Sequence, residues 1–363
     1  MKYYVTTFPG ISQVTRLEIS DKNPSAKIVN QFRIENNDIL TLDGIFPKDL
    51  TQLRTVEDFF FNLGIIHLDG NKSDLVSVSE FLSKNNMIDP ALSVHRELAG
   101  GKKGALKTKF RFIVQAKDAK WRKYRRVDIQ NAAEKAILKR YNGWRLVKDS
   151  AHVEFWIQQS GPNLIFGLRL SDRTVRHREY KKVNIEGSLR PTIAATLVYL
   201  SGVDKNDIFL DPMCGAGTIL AERMIAGSYR EILGGDIDES AVEAAKVNLS
   251  RLKSNAILPN IKMWDATNLP LDDESVTKIV TNPPWGRRVG SDDEVAHLYP
   301  AFIKEVERVM VSGGRCVILS GKWDEIKKYL SDRSSLLVEN HIKDIEVMGY
   351  CADIFVTEKQ SEK

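Results

Sequence analysis

The chain has 363 residues, 28% of them charged, with 53 Lys and Arg against 48 Asp and Glu and a formal net charge of +5. That length accommodates two or three domains, each with its own core. Three cysteines without C-x-x-C spacing suggest neither a disulfide framework nor a zinc site. The N-terminus has no apolar leader and no run approaches the ~18 apolar residues of a membrane span, so a soluble, cytoplasmic protein in a reducing compartment is expected.

In chain order, residues 3–7 read as a strand and 11–20 as a helix. Residues 77–84 read as a helix and 109–114 as a strand. A helix over 128–140 follows, capped by Asp128 and carrying apolar Ile129, Ala132, Ala133, Ala136, Ile137 and Leu138. Residues 153–157 and 163–168 alternate as strands around the turn Ser160-Gly161-Pro162. A period of two around a single helix predicts a small α+β layer. The run of elements separates an N-terminal segment (1–60) from a second domain (61–170); a linker (171–190), a C-terminal domain (191–358) and a tail (359–363) are expected beyond them, with residues 358–363 loose.

Charge is unevenly spread. Between Lys102 and Arg140 there are 14 Lys or Arg against 3 Asp or Glu, with Phe110, Phe112, Trp121 and Tyr124 interleaved. A second basic stretch contains Arg173, Arg176, Arg178, Lys181 and Lys182. A solvated face is the plainer reading, but such an excess is the footprint that a phosphate backbone requires. The candidate RNA contacts are Lys102, Lys103, Arg122, Lys123, Arg125 and Arg126. Arg287 and Arg288 are further candidates, for phosphate or a base edge, with an ordinary surface role as the other reading.

The C-terminal half carries sharper signals. A short apolar strand over 207–210 runs into Asp211-Pro212-Met213-Cys214-Gly215-Ala216-Gly217-Thr218, and a helix over 219–225 follows at once. Strand, glycine turn and helix N-terminus form a ligand-binding switch point. The run G-A-G-T lacks the third glycine of a dinucleotide fingerprint and suits a smaller nucleoside such as S-adenosylmethionine. A second strand over 232–236 ends in Asp236, 25 residues after Asp211. Its carboxylate is suited to ribose hydroxyls, in charge-assisted bonds of about 1.5–3 kcal/mol each. Ile237 is suited to pack on adenine. A third strand over 261–263 leads to Asp265 and Ala266, with Asp265 suited to the adenine amine.

The fourth strand, 276–281, ends in Asn282-Pro283-Pro284-Trp285. A nucleobase amine is a poor nucleophile because its lone pair is delocalised into the ring. Two carbonyls accepting both N–H bonds, Asn282 Oδ1 and the Pro283 backbone, would localise that pair, while the prolines stiffen the turn. Trp285 offers a stacking face. Alone, the tetrapeptide is equally a Pro-rich turn closing a strand, and each carboxylate alone is a helix cap or a solvated turn. Four polar strand ends in a row favour one site. Beyond them, a helix over 294–311 is expected to end at Ser312-Gly313-Gly314, followed by a fifth strand over 315–319.

These C-terminal residues resemble class I S-adenosylmethionine-dependent methyltransferases of the amino-methylating, N-P-P-[YFW] branch. The resemblance implies that Asp211, Met213, Cys214, Gly215, Gly217 and Thr218 line the cofactor. It assigns Asp236 and Ile237 to the ribose and adenine, Asp265 and Ala266 to adenine, and Asn282, Pro283 and Trp285 to the target base. Arg190-Pro191-Thr192 resembles the stretch that contacts the methionine end in relatives, although Thr192 also suits a helix cap. The N-terminal runs F-R-F-I-V-Q-A-K, V-K-D-S-A-H-V-E-F-W-I and L-I-F-G-L-R-L look like a THUMP domain, and residues 3–10 resemble the ferredoxin-like segment that precedes one.

Together the halves resemble the THUMP-containing tRNA guanine-N2 methyltransferases. N-P-P-W-G-R-R is similar to the archaeal and bacterial group acting on position 6 of the acceptor stem. The resemblance implies a Rossmann-like α/β domain with a mostly parallel seven-stranded sheet, preceded by an α+β ferredoxin-like segment and THUMP domain. It further implies S-adenosylmethionine converted to S-adenosylhomocysteine, no metal, and a monomer that binds the acceptor stem and 3′ end of tRNA without a membrane. The rival readings are a guanosine-10 (di)methyltransferase, a ribosomal RNA guanine-N2 enzyme, a DNA adenine-N6 or cytosine-N4 enzyme, and a non-catalytic THUMP protein. A THUMP-containing thiouridine synthase would need S-G-G-x-D-S, and Ser312-Gly313-Gly314-Arg315-Cys316 lacks its Asp and Ser.

Overall fold

The computed structural model describes residues 2–34, 37–100, 108–252, 258–286, 292–347 and 349–361. The chain forms two compact units, residues 1–8 with 19–175 and residues 9–18 with 176–363.

Up to Arg169 the elements are β1 (Tyr3–Thr7), α1 (Ser12–Lys22), β2 (Lys27–Ile34), β3 (Asn37–Asp43), α2 (Pro47–Leu50), β4 (Asp58–His67), α3 (Ser73–Lys84) and α4 (Ile88–Leu98). They continue with β5 (Lys109–Gln115), α5 (Arg126–Arg140), β6 (Arg145–Leu146), β7 (Val153–Ser160) and β8 (Asn163–Arg169). All eight strands join one sheet in the order β2-β3-β1-β4-β8-β7-β5-β6. The expected boundary between residues 60 and 61 falls inside β4. This strand pairs with β1 on one side and β8 on the other, so the two expected N-terminal domains share one sheet. β5 alternates as its sequence requires, burying Phe110, Phe112 and Val114 in a core shared with Ile129, Ala133 and Ile137 of α5. α5 is the crossover between parallel β5 and β7. It begins two residues before the expected start. Asp128 is therefore not its first cap; the carboxylate reaches back to the Arg125 N–H at 2.7 Å.

The second unit contains α6 (Pro191–Leu200), β9 (Ile208–Asp211), α7 (Thr218–Ala226), β10 (Glu231–Asp236), α8 (Glu239–Leu249), β11 (Asn260–Met263) and β12 (Val276–Thr281). α9 (Asp292–Val309), β13 (Met310–Ser320), α10 (Trp323–Ser331), β14 (Leu336–Val347) and β15 (Tyr350–Lys359) complete it. The strand order is β11-β10-β9-β12-β13-β15-β14. The first five strands are parallel, and β15 and β14 close the edge antiparallel. The chain steps outward from β9 to β11, then returns across β9 to β12. That reversal puts a crevice at the carboxyl ends of β9 and β12, where Asp211 and Asn282 lie.

Two expectations at the end of the chain are corrected. α9 stops at Val309, and β13 already pairs Met310 with Val276. Residues 311–314 are then accommodated as an irregularity before Arg315 meets Lys278, so Gly313-Gly314 lies within a strand rather than at a helix end. Residues 358–359 are not a loose tail: Glu358 and Lys359 pair within the sheet, and Lys359 Nζ donates to the Met310 carbonyl at 2.8 Å. Among the described residues, no helix is long and apolar enough to cross a membrane.

Candidate active site

A cavity of about 600 Å3 lies at the carboxyl ends of β9, β10 and β12 in the second unit. Asp211, Met213, Cys214, Gly215, Thr218, Asp236, Ile237, Asp265, Ala266, Asn282, Pro283 and Trp285 all line it. The glycine turn is tied to the next strand. The Cys214 N–H donates to the Gly235 carbonyl and the Gly215 N–H to Asp236 Oδ2, both at 2.8 Å. Asp236 Oδ1 accepts the Asp238 N–H at 3.1 Å, so backbone donors orient both carboxylate oxygens. Burial raises its pKa, against the pull of those amides. Asp265 Oδ1 accepts both the N–H and the hydroxyl of Thr267, at 2.8 and 2.7 Å, which fixes an exposed carboxylate at the cavity rim.

Asp211 is buried, and burial pushes its pKa up to about 8, while the Met213 amide works in the opposite direction. A carboxyl raised in this way is matched to a cationic partner, which would restore its ionised form. Burial also raises the Cys214 thiol, so it stands in the cavity as a neutral group rather than a nucleophile.

Asn282 Oδ1 is buried and has no hydrogen-bond partner among the described residues. A carbonyl oxygen left so costs about 1–3 kcal/mol, and a ligand N–H is the natural remedy. The turn that carries it is held from behind. The Tyr299 hydroxyl donates to the Pro284 carbonyl at 2.8 Å and lies 3.2 Å from Ser320 Oγ. The anchor is thus on Pro284, one residue beyond the expected acceptor Pro283. Taken together, the orphaned acceptor, the buried Asp211 carboxyl and the oriented Asp236 fit a nucleoside that bears both a positive charge and hydroxyl groups.

Several sequence expectations are changed. Gly217 does not line the cavity: it caps α7 at φ 74°, and a Cβ there would stand 3.0 Å from that of Ala245 in α8. Its glycine serves helix packing. Thr192 is fully buried in the first turn of α6 and is neither its cap nor a lining residue, since Arg190 occupies the cap position. The stretch 185–189, read as linker, lines the cavity instead, as do Leu298, Val347 and Tyr350. Lys181 Nζ donates to the Leu189 carbonyl beside it, and burial lowers its pKa to about 8.

In the first unit Lys123, Arg125 and Arg126 are exposed, together with Lys117 and Lys120. Arg122 is not a surface cation. Its side chain is fully buried near the rings of Trp121 and Tyr124, at 5.9 and 5.4 Å, and donates to the Lys117 carbonyl. Arg111 is paired with Glu154, and Arg140 with Asp89, so part of the charge run is internal. A second cavity of about 560 Å3 is lined by Arg33, Lys117, Trp121 and Gln159, among others. Lys102, Lys103, Arg287 and Arg288 lie outside the described residues.

Sheet order and crevice define the second unit as a class I methyltransferase fold. Residues 178–347 match the UPF0020 family, described as RMKL-like, methyltransferase domain. The crystal structure of TrmN from Thermus thermophilus superimposes with a TM-score of 0.80 at 20% identity, over 99% of each chain. The tRNA (guanine(6)-N2)-methyltransferase of Methanocaldococcus jannaschii is 25% identical over 370 residues, 89% of this chain and 91% of that protein. The tRNA (guanine(6)-N(2))-methyltransferase THUMP3 of Mus musculus is 28% identical over 236 residues, 62% of this chain. Of that mouse protein the match spans 46%, so the chain covers about half the length of its mammalian relatives.

Proposed function

We propose that the protein is a tRNA (guanine-N2)-methyltransferase that transfers a methyl group from S-adenosylmethionine to the exocyclic amine of a guanosine, at position 6 of the acceptor stem. The observation that carries this reading is the buried, unpartnered Asn282 Oδ1 on the turn beside Asp211 and Asp236. The position is supported by the archaeal relative matched over nine-tenths of its length, whose name specifies guanine 6.

Asp236 and Asp265 hold the nucleoside end of the cofactor, and Asp211 faces its positive end. When bound, the cofactor supplies a methyl group already activated by a positively charged sulfur. Asn282 Oδ1 and the Pro283 carbonyl accept the two N–H bonds of the guanine amine. They draw its nitrogen toward a tetrahedral shape, with the lone pair directed at the methyl carbon. With S-adenosylmethionine bound, the N–C bond would form as the S–C bond breaks and the amine nitrogen would release one of its protons to solvent, giving methylguanosine and S-adenosylhomocysteine. Turning the guanosine out of its stem costs a few kcal/mol, and stacking on Trp285 offsets about 1–3 kcal/mol of that. The exposed cations between 117 and 126, with Trp121, provide the surface for the acceptor end and 3′ terminus. Location in the cytoplasm as a monomer is part of this reading; the free thiols of Cys214, Cys316 and Cys351 favour a reducing compartment.

The test is transfer of labelled methyl to tRNA, with the modified nucleotide mapped by mass spectrometry. N2-methylguanosine at position 6 is expected. Asn282→Ala should abolish transfer while leaving tRNA affinity within about twofold, because the residue acts on the reacting amine rather than on docking. An active Asn282→Ala enzyme would remove the amine-positioning role.

A further inference from the structure

Along the turn from Asn282 to the Pro284 carbonyl, the prolines restrict every backbone torsion but one. Pro283 and Pro284 fix their own φ, and a following proline holds ψ of Asn282 and of Pro283 in the extended range. The torsion left soft is ψ of Pro284. It sets where the Pro284 carbonyl points and how Trp285 stands relative to the acceptor pair of Asn282 and Pro283. That carbonyl is the one the Tyr299 hydroxyl binds, at 2.8 Å. The direction of each further link follows from the groups themselves. A carbonyl only accepts, so Tyr299 gives its single proton to Pro284. The 3.2 Å contact between Tyr299 Oη and Ser320 Oγ then runs from the Ser320 hydroxyl to Tyr299. Ser320 Oγ in turn accepts the Lys322 N–H at 3.0 Å. Each donor in this chain polarises the next, and the chain ends on the Pro284 carbonyl. Tyr299 and Ser320 are fully buried and neither lines the cavity, so both stand behind the turn. Burial raises the Tyr299 hydroxyl above the usual phenol range, so it remains a donor. Between Ser320 and Lys322, the Gly321 backbone lies against the Trp285 ring: a Cβ there would stand 2.8 Å from Cε3. The end of β13 thus seats the ring and, through Tyr299 of α9, sets the carbonyl that precedes it.

We propose that Tyr299 is a positioning residue for methyl transfer: through the Pro284 carbonyl it holds the Asn282–Pro283 acceptor pair and Trp285 in fixed relation, with Ser320 aiming its proton. This deepens the guanine-N2 reading and rests on it. Transfer needs the amine nitrogen in line with the methyl carbon, and a misplacement of about 1 Å can cost about a hundredfold in rate. Released from Tyr299, the Pro284 peptide can turn about ψ, and the acceptors and the ring no longer keep one spacing. The cost falls on the reaction step rather than on docking, because the residues proposed to bind cofactor and tRNA are untouched.

The experiment compares the full chain with its Tyr299→Phe, Ser320→Ala and doubly substituted variants. Single-turnover methyl transfer from labelled S-adenosylmethionine to a tRNA transcript with guanosine at position 6 is measured at saturating tRNA and cofactor, below the thermal midpoint of every variant. Affinities for tRNA and for S-adenosylhomocysteine are measured in parallel. Tyr299→Phe keeps the ring and loses the bond, so the saturated rate should fall about tenfold or more while both affinities stay within about twofold of the parent. Ser320→Ala leaves the Tyr299 hydroxyl in place without the donor that aims it, and should lose about threefold to tenfold. The double variant should be no slower than Tyr299→Phe, because both changes act on one bond. A Tyr299→Phe rate within about twofold of the parent, losses that multiply, or a defect confined to affinity would overturn the proposal and leave the functional reading intact. If Tyr299→Phe does not fold, Ser320→Ala decides alone, on the same division between rate and affinity. A parent that transfers no methyl to the guanosine transcript would overturn both.

Discussion

Asp211 shows how one buried carboxyl makes the empty and filled site respond differently to pH. Its pKa is raised by burial from 3.8 to about 8. Between those values the folded chain keeps a proton that the unfolded chain has released. The contribution of Asp211 to stability is therefore fullest below about pH 4 and is lost as pH rises through the folded value. The thermal midpoint of the ligand-free protein, taken relative to that of Asp211→Asn, should fall across roughly pH 5–8. Asp211→Asn should flatten that part of the profile. Lys181 has a pKa lowered from 10.5 to about 8, so its contribution has the opposite sign and grows as pH rises between those values, outside this window. A cationic ligand beside Asp211 should expel the proton, so S-adenosylhomocysteine, whose ammonium is positive, should bind more tightly as pH rises through the same range. Calorimetry in buffers of different ionisation heat reads that proton release directly; equal apparent heats in all buffers would disprove it.

At the scale of elements, α7 is secured by a fully buried arginine. Arg223 Nη2 pairs with Asp207 at 2.9 Å and donates to the carbonyls of Asp204 and Ser228 at 2.8 and 3.0 Å. Its Nη1 bonds the Gly227 carbonyl at 3.1 Å. These bonds fasten the end of α7 to the start of β9, the strand that delivers Asp211. Removing one member of a buried pair strands the other, so Arg223→Ala should cost about 3–5 kcal/mol in denaturant unfolding. A loss below about 1 kcal/mol would mean water takes over the pairing. The strands that carry the site were legible because their apolar runs are short and end in Asp or Asn; β12 and β1 begin and end where the sequence places them. β14 was not. Its pairing with β15 shifts register twice, so its buried residues follow no period of two. The stretch 185–189 has no periodicity at all, and only tertiary approach brings it to the cavity. Arg122 looked like its neighbours in a charge run, since nothing local shows that Trp121, Tyr124 and the Lys117 carbonyl enclose it.

For the whole molecule, the net charge of +5 understates a concentration of cations in one exposed segment. Lys120, Lys123, Arg125 and Arg126 are exposed, whereas Arg122 between them is buried and structural. If these four meet phosphates, each neutralised phosphate releases counterions and adds about 0.7–0.9 to the slope of log affinity against log salt, the lower value for single strands. Replacing all four with Glu should therefore weaken tRNA binding at low salt and flatten its salt dependence by that amount for every phosphate no longer neutralised. Arg122 is left unchanged, so that loss of packing does not masquerade as loss of charge. S-adenosylhomocysteine affinity should stay constant, because the cavity proposed to hold it is lined by residues of the other compact unit. The transfer rate at saturating tRNA should change little, since docking and amine activation are proposed to draw on different residues. A slope equal to the parent's would show that the patch takes no phosphate. A loss of turnover at saturation would instead mean that these cations also steer the guanosine into the cavity.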